Sequence, residues 1–148
     1  MTVSAHQDTF ARDHLPPPDM QPAFLFDLPE LQYPERLNCV VELLDKMAAG
    51  KHAEQIAIHG RDLRWTYADL LDQVNRICHV LREDLQLVPG NRVLLRGAND
   101  PMMAACFLAV LKAGCIAVPT MPLLRSKELG AIVDRARIGA ALCSHDLR

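Results

Sequence analysis

The stretch that most constrains this chain is residues 101–122, PMMAACFLAVLKAGCIAVPTMP. Asp100 stands where an N-cap belongs, and Pro101 suits the first helical turn, where a missing N–H is no loss. Residues 102–113 are apolar on every side except at Lys112. A helix of that kind is expected to be buried all round. Gly114 follows, as a residue that takes the left-handed conformation at a helix end. Residues 115–118 form an unbroken apolar run, the pattern of a parallel strand covered on both faces. Pro119 cannot donate to a ladder and is expected to stop that strand. Helix, glycine, buried strand and proline together read as the second half of a βαβ unit, placed at the centre of a sheet.

The flanking sequence extends this pattern. Residues 92–96, RVLLR, read as a buried strand entered through the turn 88–91. Strand, helix and strand then follow within 27 residues. Such a parallel pair is almost always joined with a right-handed crossover. Ser126 is expected to cap a further helix over about 127–137, ended by Gly139, and residues 140–143 to form another apolar strand. The fold class is therefore α/β, a mainly parallel sheet flanked by helices. Ligands of such sheets bind beyond the carboxyl ends of the strands. Here those ends are residues 97–99, 119–122 and 144–146.

Upstream, residues 56–67 (IAIHGRDLRWTY) give a hairpin signal. Thr66 and Asp69 form a capping-box pair opening an amphipathic helix with Leu70, Leu71, Val74, Ile77, Cys78, Leu81 and Leu85 on one face. Asn38 can cap a helix reaching about Ala49, ended by Gly50. Residues 1–36 hold six of the ten prolines and are read as an extended Pro-rich arm. Its first fifteen or so residues are expected to be loose and the rest to lie over the folded body. Residues 37–148 form the α/β subdomain.

Composition narrows the partners. A formal net charge of −2 offers no field for nucleic acid or an anionic membrane. The most membrane-like run, 102–118, is interrupted by Lys112 and Gly114 and falls short of the roughly 20 residues a span needs. The start of the chain has no basic-then-apolar export pattern. The five cysteines (Cys39, Cys78, Cys106, Cys115 and Cys143) show no CxxC pair, and the six histidines no HxxxH spacing. Buried, reduced thiols in a cytoplasmic protein without a metal site are expected. No GxGxxG, GxxxxGK[ST] or GxSxG motif is present, so pattern alone names no catalytic residue.

Two stretches resemble a family. Residues 63–70, LRWTYADL, look like the first shared motif of the adenylate-forming enzymes, which include acyl-CoA synthetases, luciferases and peptide-synthetase adenylation domains. Residues 111–119, LKAGCIAVP, look like the second. Between them PGNRV (89–93) matches the usual turn into a strand, with Asn91 where Asp is commoner. The run 15–38, LPPPDMQPAFLFDLPELQYPERLN, together with VPTMPLLRSKEL (118–129), is similar to aryl-CoA ligases of the benzoate and 2-aminobenzoate kind. Many relatives carry an acidic residue soon after the second motif's proline; this chain has Thr120, Met121 and Pro122.

The resemblance implies a reaction in which ATP and an aromatic carboxylate give an acyl-adenylate and pyrophosphate, after which coenzyme A displaces AMP. It implies ATP, Mg2+ and coenzyme A for the parent enzyme and none of them bound by this chain. The phosphate loop with its lysine falls, in the family, beyond this sequence. The chain is thus expected to be the first quarter or so of a longer ligase, itself structural and inactive, whose partner is the rest of the ligase chain. An exposed apolar surface is expected to drive oligomerisation. In some relatives the loop after the second motif lines the coenzyme A path, which points to Thr120, Met121 and Pro122, with Arg125 as a phosphate partner. The alternative is a free-standing, non-enzymatic α/β module for partner binding or dimerisation, or a ligand-binding doubly wound domain.

Overall fold

The computed structural model describes residues 4–147; Met1 to Val3 of the expected arm and Arg148 lie outside the described residues. In chain order the elements are α1 (Phe10–Asp13), 3-10 turns at Pro18–Met20 and Pro29–Leu31, and a π-helical stretch Val41–Asp45 running into α2 (Lys46–Ala49). There follow β1 (Ile56–His59), β2 (Arg64–Thr66), α3 (Tyr67–His79) with a π-helical continuation Val80–Asp84, β3 (Arg92–Arg96) and α4 (Pro101–Lys112). The chain closes with β4 (Ile116–Thr120), α5 (Ser126–Ala136), β5 (Ala140–Cys143) and a 3-10 turn His145–Leu147.

The main sheet has the order β4-β3-β5 and is wholly parallel. Leu94 lies between Val118 on one side and Ala141 on the other. The centre of the sheet is therefore β3 and not β4, as the 101–122 pattern suggested. Burial agrees: Val93, Leu94 and Leu95 are closed off, while β4 is only half-buried. Pro119 sits inside β4, opposite Leu95, and does not end it. The reason lies in the alternation of backbone direction. The Ile116 N–H donates to the Asn91 carbonyl at 2.8 Å, so positions 116, 118 and 120 face β3. Position 119 faces the side of β4 that pairs with no described strand, where a proline removes no ladder bond.

One face of the sheet carries the core. Val93 and Leu95 meet Ala105, Ala109 and Val110 of α4, and Leu70 and Val74 of α3 complete the layer. Asp100 caps α4 by accepting from the Met103 N–H at 2.7 Å. The small residues at 105 and 109 let α3 pack closely against α4. The other side of α4 is open: Met102 and Phe107 are 45% and 40% exposed. The helix is thus not buried all round, because no described element covers that side. Lys112, its one charge, donates to Asp45 at 2.6 Å and Asn75 at 2.7 Å, linking α4 to the π-helical stretch before α2 and to α3.

Several local signals resolve as expected. Asn38 accepts from the Val40 N–H at 3.1 Å. The Thr66 hydroxyl accepts from the Asp69 N–H at 3.1 Å and the Asp69 carboxylate from the Thr66 N–H at 3.0 Å, a full capping box. β1 and β2 pair antiparallel across the 60–63 turn. Gly114 takes φ +76°, with the Pro89 ring against it.

Two ends of α5 differ. Ser126 is its first residue, and Arg125 is the cap position because the Glu128 carboxylate takes the Arg125 backbone N–H at 2.8 Å. At the other end Arg137, not Gly139, adopts the left-handed conformation, at φ 48°. Its carbonyl accepts from Arg92 at 2.9 Å and its guanidinium lies 4.8 Å from the Phe10 ring centre, which holds a non-glycine residue there.

The arm is organised the other way round from expectation. Its beginning is docked: the N–H groups of Gln7 and Asp8 both donate to the Pro89 carbonyl (2.9 and 3.0 Å), and Asp8 forms an ion pair with Arg92, a residue only 7% exposed. The later part, 15–37, is exposed throughout apart from a half-buried Leu31. Phe24 and Phe26 stack and Tyr33 meets Phe26 edge-on, and all three rings stay exposed. Asp8 reaches a buried cation, while the apolar residues of 15–37 stay exposed apart from Leu31.

Leu95→Ala should cost about 2–5 kcal/mol of stability and Thr66→Ala about 1 kcal/mol, read from urea unfolding midpoints at unchanged slope. Asp8 is held below the usual carboxylate range, first by the Arg92 side chain and then by the Phe10 N–H. A lowered folded pKa adds stability above the unfolded value and loses it as pH falls through the folded one. The urea midpoint should therefore drop as pH falls below about 4, and Asp8→Asn should flatten that slope.

Candidate functional site

Three parallel strands deliver three segments to one end of the sheet: 97–99 after β3, 121–125 after β4 and 144–147 after β5. Arg96, the last residue of β3, joins two of them. Its Nη2 donates to the carbonyls of Pro122 and Leu124, both at 3.0 Å, and its Nη1 to the carbonyl of Leu147. Its Nε is buried and has no partner among the described residues. Carbonyls that no ladder uses are thus satisfied by a cation that the buried strand carries to this spot. The Ser144 N–H donates back to the Arg96 carbonyl at 2.8 Å.

An open hollow of about 580 Å³ lies over this junction, bounded by Arg96, Pro122, Leu123, Leu124, Arg125 and Leu129 among others. Thr120 turns its hydroxyl inward, donating to the Leu95 carbonyl at 3.0 Å. Met121 is 63% exposed. The loop is a tight one, with the Leu124 N–H on the Met121 carbonyl at 3.1 Å. Arg125 is exposed at the start of α5, and its guanidinium makes no hydrogen bond or ion pair among the described residues. The structure therefore brings Pro122 and Arg125 to one hollow, sets Met121 on its outer side and commits Thr120 to the sheet.

Arg96 was not singled out by sequence reasoning. The signal was there: an arginine ending an apolar strand has to find acceptors where the strand stops. Thr120 and Ser126 have no neighbouring base among the described hydrogen bonds, and the Arg96 terminal nitrogens are already spent on carbonyls. Arg125 is the one described cation at the rim with charge to offer an anion.

The cysteines divide. Burial pushes the thiols of Cys78, Cys106 and Cys115 up, so they stay protonated. Cys39 and Cys143 are exposed, against the expectation of buried thiols: Cys39 precedes the Val41–Asp45 stretch and Cys143 is an outward position at the end of β5; all five are free. Among the described residues no group of three or more His, Cys, Asp or Glu is placed to hold a metal, and no helix is long and apolar enough to cross a membrane.

A family model described as AMP-binding enzyme matches residues 45–148. The chain belongs to the AMP-binding enzyme family. It is 27% identical over 115 residues to the uncharacterized acyl-CoA ligase YtcI of Bacillus subtilis (strain 168), covering 76% of this chain and 22% of that one. The fold matches the crystal structure of apo MatB from Rhodopseudomonas palustris with TM-score 0.68 and 23% identity, over 75% of this chain and 22% of that one. It also matches the anthranilate CoA ligase AuaEII in complex with anthranoyl-AMP, with TM-score 0.67 and 21% identity, over 72% of this chain and 20% of that one. The chain spans about a fifth of the length of these relatives. In this AMP-binding family member the 63–70 motif forms the β2–α3 junction and its capping box, and the 111–119 motif forms the end of α4 and most of β4, leading straight into the candidate loop.

Replacing Arg96 by Met leaves up to three carbonyls without their donor, a loss of about 1–3 kcal/mol each where water cannot substitute. The variant should be cut by trypsin after Arg125 faster than the wild type, with cleavage after Arg76 unchanged.

Proposed function

We propose that this chain is the opening, scaffolding part of an ATP-dependent aryl-CoA ligase and is inactive by itself. The observation that carries the reading is the family match over 45–148, because that stretch builds every strand of both sheets. The aromatic substrate class is supported by the similarity of 15–38 and 118–129 to benzoate and 2-aminobenzoate ligases, and agrees with a neighbour that is an anthranilate CoA ligase.

The parent enzyme would activate the carboxylate with ATP and then pass the acyl group to the coenzyme A thiol. The donor set in this chain does not fit the ATP phosphates or Mg2+: no glycine-rich lysine loop occurs in the sequence, and the described residues contain no acidic cluster. No step of the reaction is therefore assigned to residues here. What this chain supplies is a wall. β3 is fixed from both sides, and the segments at its carboxyl end are drawn together by Arg96. The role proposed for Thr120, Met121, Pro122 and Arg125 is to border the coenzyme A path, with Arg125 meeting a phosphate. Thr120 is the weakest member, since its hydroxyl is turned onto Leu95.

The rest of the ligase chain would cover the apolar side chains left open here, Met102 and Phe107 of α4 and Phe24, Leu25 and Leu28 of the arm. The enzyme would work in the cytoplasm, where ATP and coenzyme A are held. The isolated chain should associate through these side chains and bind an apolar dye.

ATP–pyrophosphate exchange with benzoate or 2-aminobenzoate tests the reading. The isolated chain should give none above background, and a ligase carrying this segment should exchange; exchange by the isolated chain would overturn the proposal. In that ligase Arg125→Ala should raise the coenzyme A concentration needed for half-maximal rate and leave exchange intact. An unchanged requirement would remove Arg125 from the path.

A further inference from the structure

The end of the sheet away from the hollow is closed by the start of the chain. Arg92, the first residue of β3, is nearly buried and is fully engaged. Its Nη1 meets the Asp8 carboxylate and donates to the Gly90 carbonyl at 2.8 Å. Its Nε and Nη2 donate to the carbonyls of Ala136 and Arg137 at 3.0 and 2.9 Å. Those two carbonyls are the open end of α5, where a cation is favoured. Phe10 lies between two guanidinium groups, 4.9 Å from that of Arg92 and 4.8 Å from that of Arg137. The Asn91 amide donates to Asp8 at 2.8 Å. Gly90 makes the approach feasible, since a Cβ there would collide with the Asp8 carbonyl.

α5 depends on such ties. None of its residues is fully buried, so side-chain packing does little to fix it. It is held at its ends: Arg92 grips the carbonyls at its carboxyl end, and Arg96 grips Leu124 just before its amino end. Eleven residues of helix span about 16 Å as a stiff rod. A change of tilt at one end is carried to the other, where Arg125 borders the hollow.

We propose that residues 7–10 are a clasp that sets the position of α5, and through it of Arg125, from the opposite end of the sheet. Asp8 neutralises Arg92 and Phe10 bridges Arg92 to Arg137, so that Arg92 is oriented to hold the helix end. With the clasp undone, α5 loses its fixed carboxyl end and Arg125 its fixed place. The clasp does not rest on the reading of Arg125 as a phosphate partner, because it is defined by contacts within this chain.

Amide hydrogen exchange on the whole chain tests it, with Asp8→Asn and Phe10→Leu compared with the wild type. Phe10→Leu leaves the ion pair in place and removes only the ring between the cations, so it guards against a misfolded Asp8 variant. Both variants should speed exchange at Gln7 and Asp8 and across residues 130–139 by roughly tenfold, the loss of one charged contact. Exchange in 70–79 should stay as in the wild type. Faster exchange at 7–8 with 130–139 unchanged would overturn the proposal. So would an increase that 70–79 shares, or unprotected amides at 7–8 in the wild type.

Discussion

A five-residue strand, apolar in its middle and carrying an arginine at each end, holds this molecule together. Val93, Leu94 and Leu95 lie between parallel neighbours on both sides, the position where backbone groups are paired and both faces covered. Arginine in a buried strand is costly unless its donors are satisfied. Here the terminal nitrogens of both arginines and the Nε of Arg92 reach carbonyls or the Asp8 carboxylate. Arg92 collects the end of α5 and the start of the chain; Arg96 collects the loop after β4 and the turn after β5. One strand therefore fixes both ends of the sheet, and the segments that border the hollow inherit their place from it.

The elements were mostly legible because their signals are local. Asp100 and Pro101 start α4, Gly114 ends it, Thr66 and Asp69 open α3, and each of these interactions spans a few residues. Strand order was not legible, because periodicity says that a strand is buried and not which strand lies between the others. The pattern at 115–118 is as apolar as that at 93–95, yet among the described residues only the latter has two neighbours. Pro119 misled for a related reason: its effect depends on which side of the strand faces a partner. The arm misled most. A Pro-rich segment suggested a loose beginning, but the partner of Asp8 lies 84 residues away, a distance no local pattern reports.

The same distinction applies to the candidate site. Its location after β4 follows from the topology of parallel sheets, and Pro122 and Arg125 stand where that rule puts them. Arg96 escaped notice because its importance comes from what meets it in space. The family match and the shared fold place this sheet among the AMP-binding enzymes. At the hollow, cations and carbonyls are arranged to hold a loop. A parallel sheet with two secured ends is a surface against which further structure can be placed.

The central claim is that β3 lies between β4 and β5, with both neighbours parallel to it. Backbone proton–proton contacts measured by NMR on the labelled chain test it directly. The account predicts contacts from Leu94 to the neighbourhood of both Val118 and Ala141, and from Leu95 to that of both Pro119 and Leu142. Contacts to one side only, or an antiparallel pattern on either side, would contradict it.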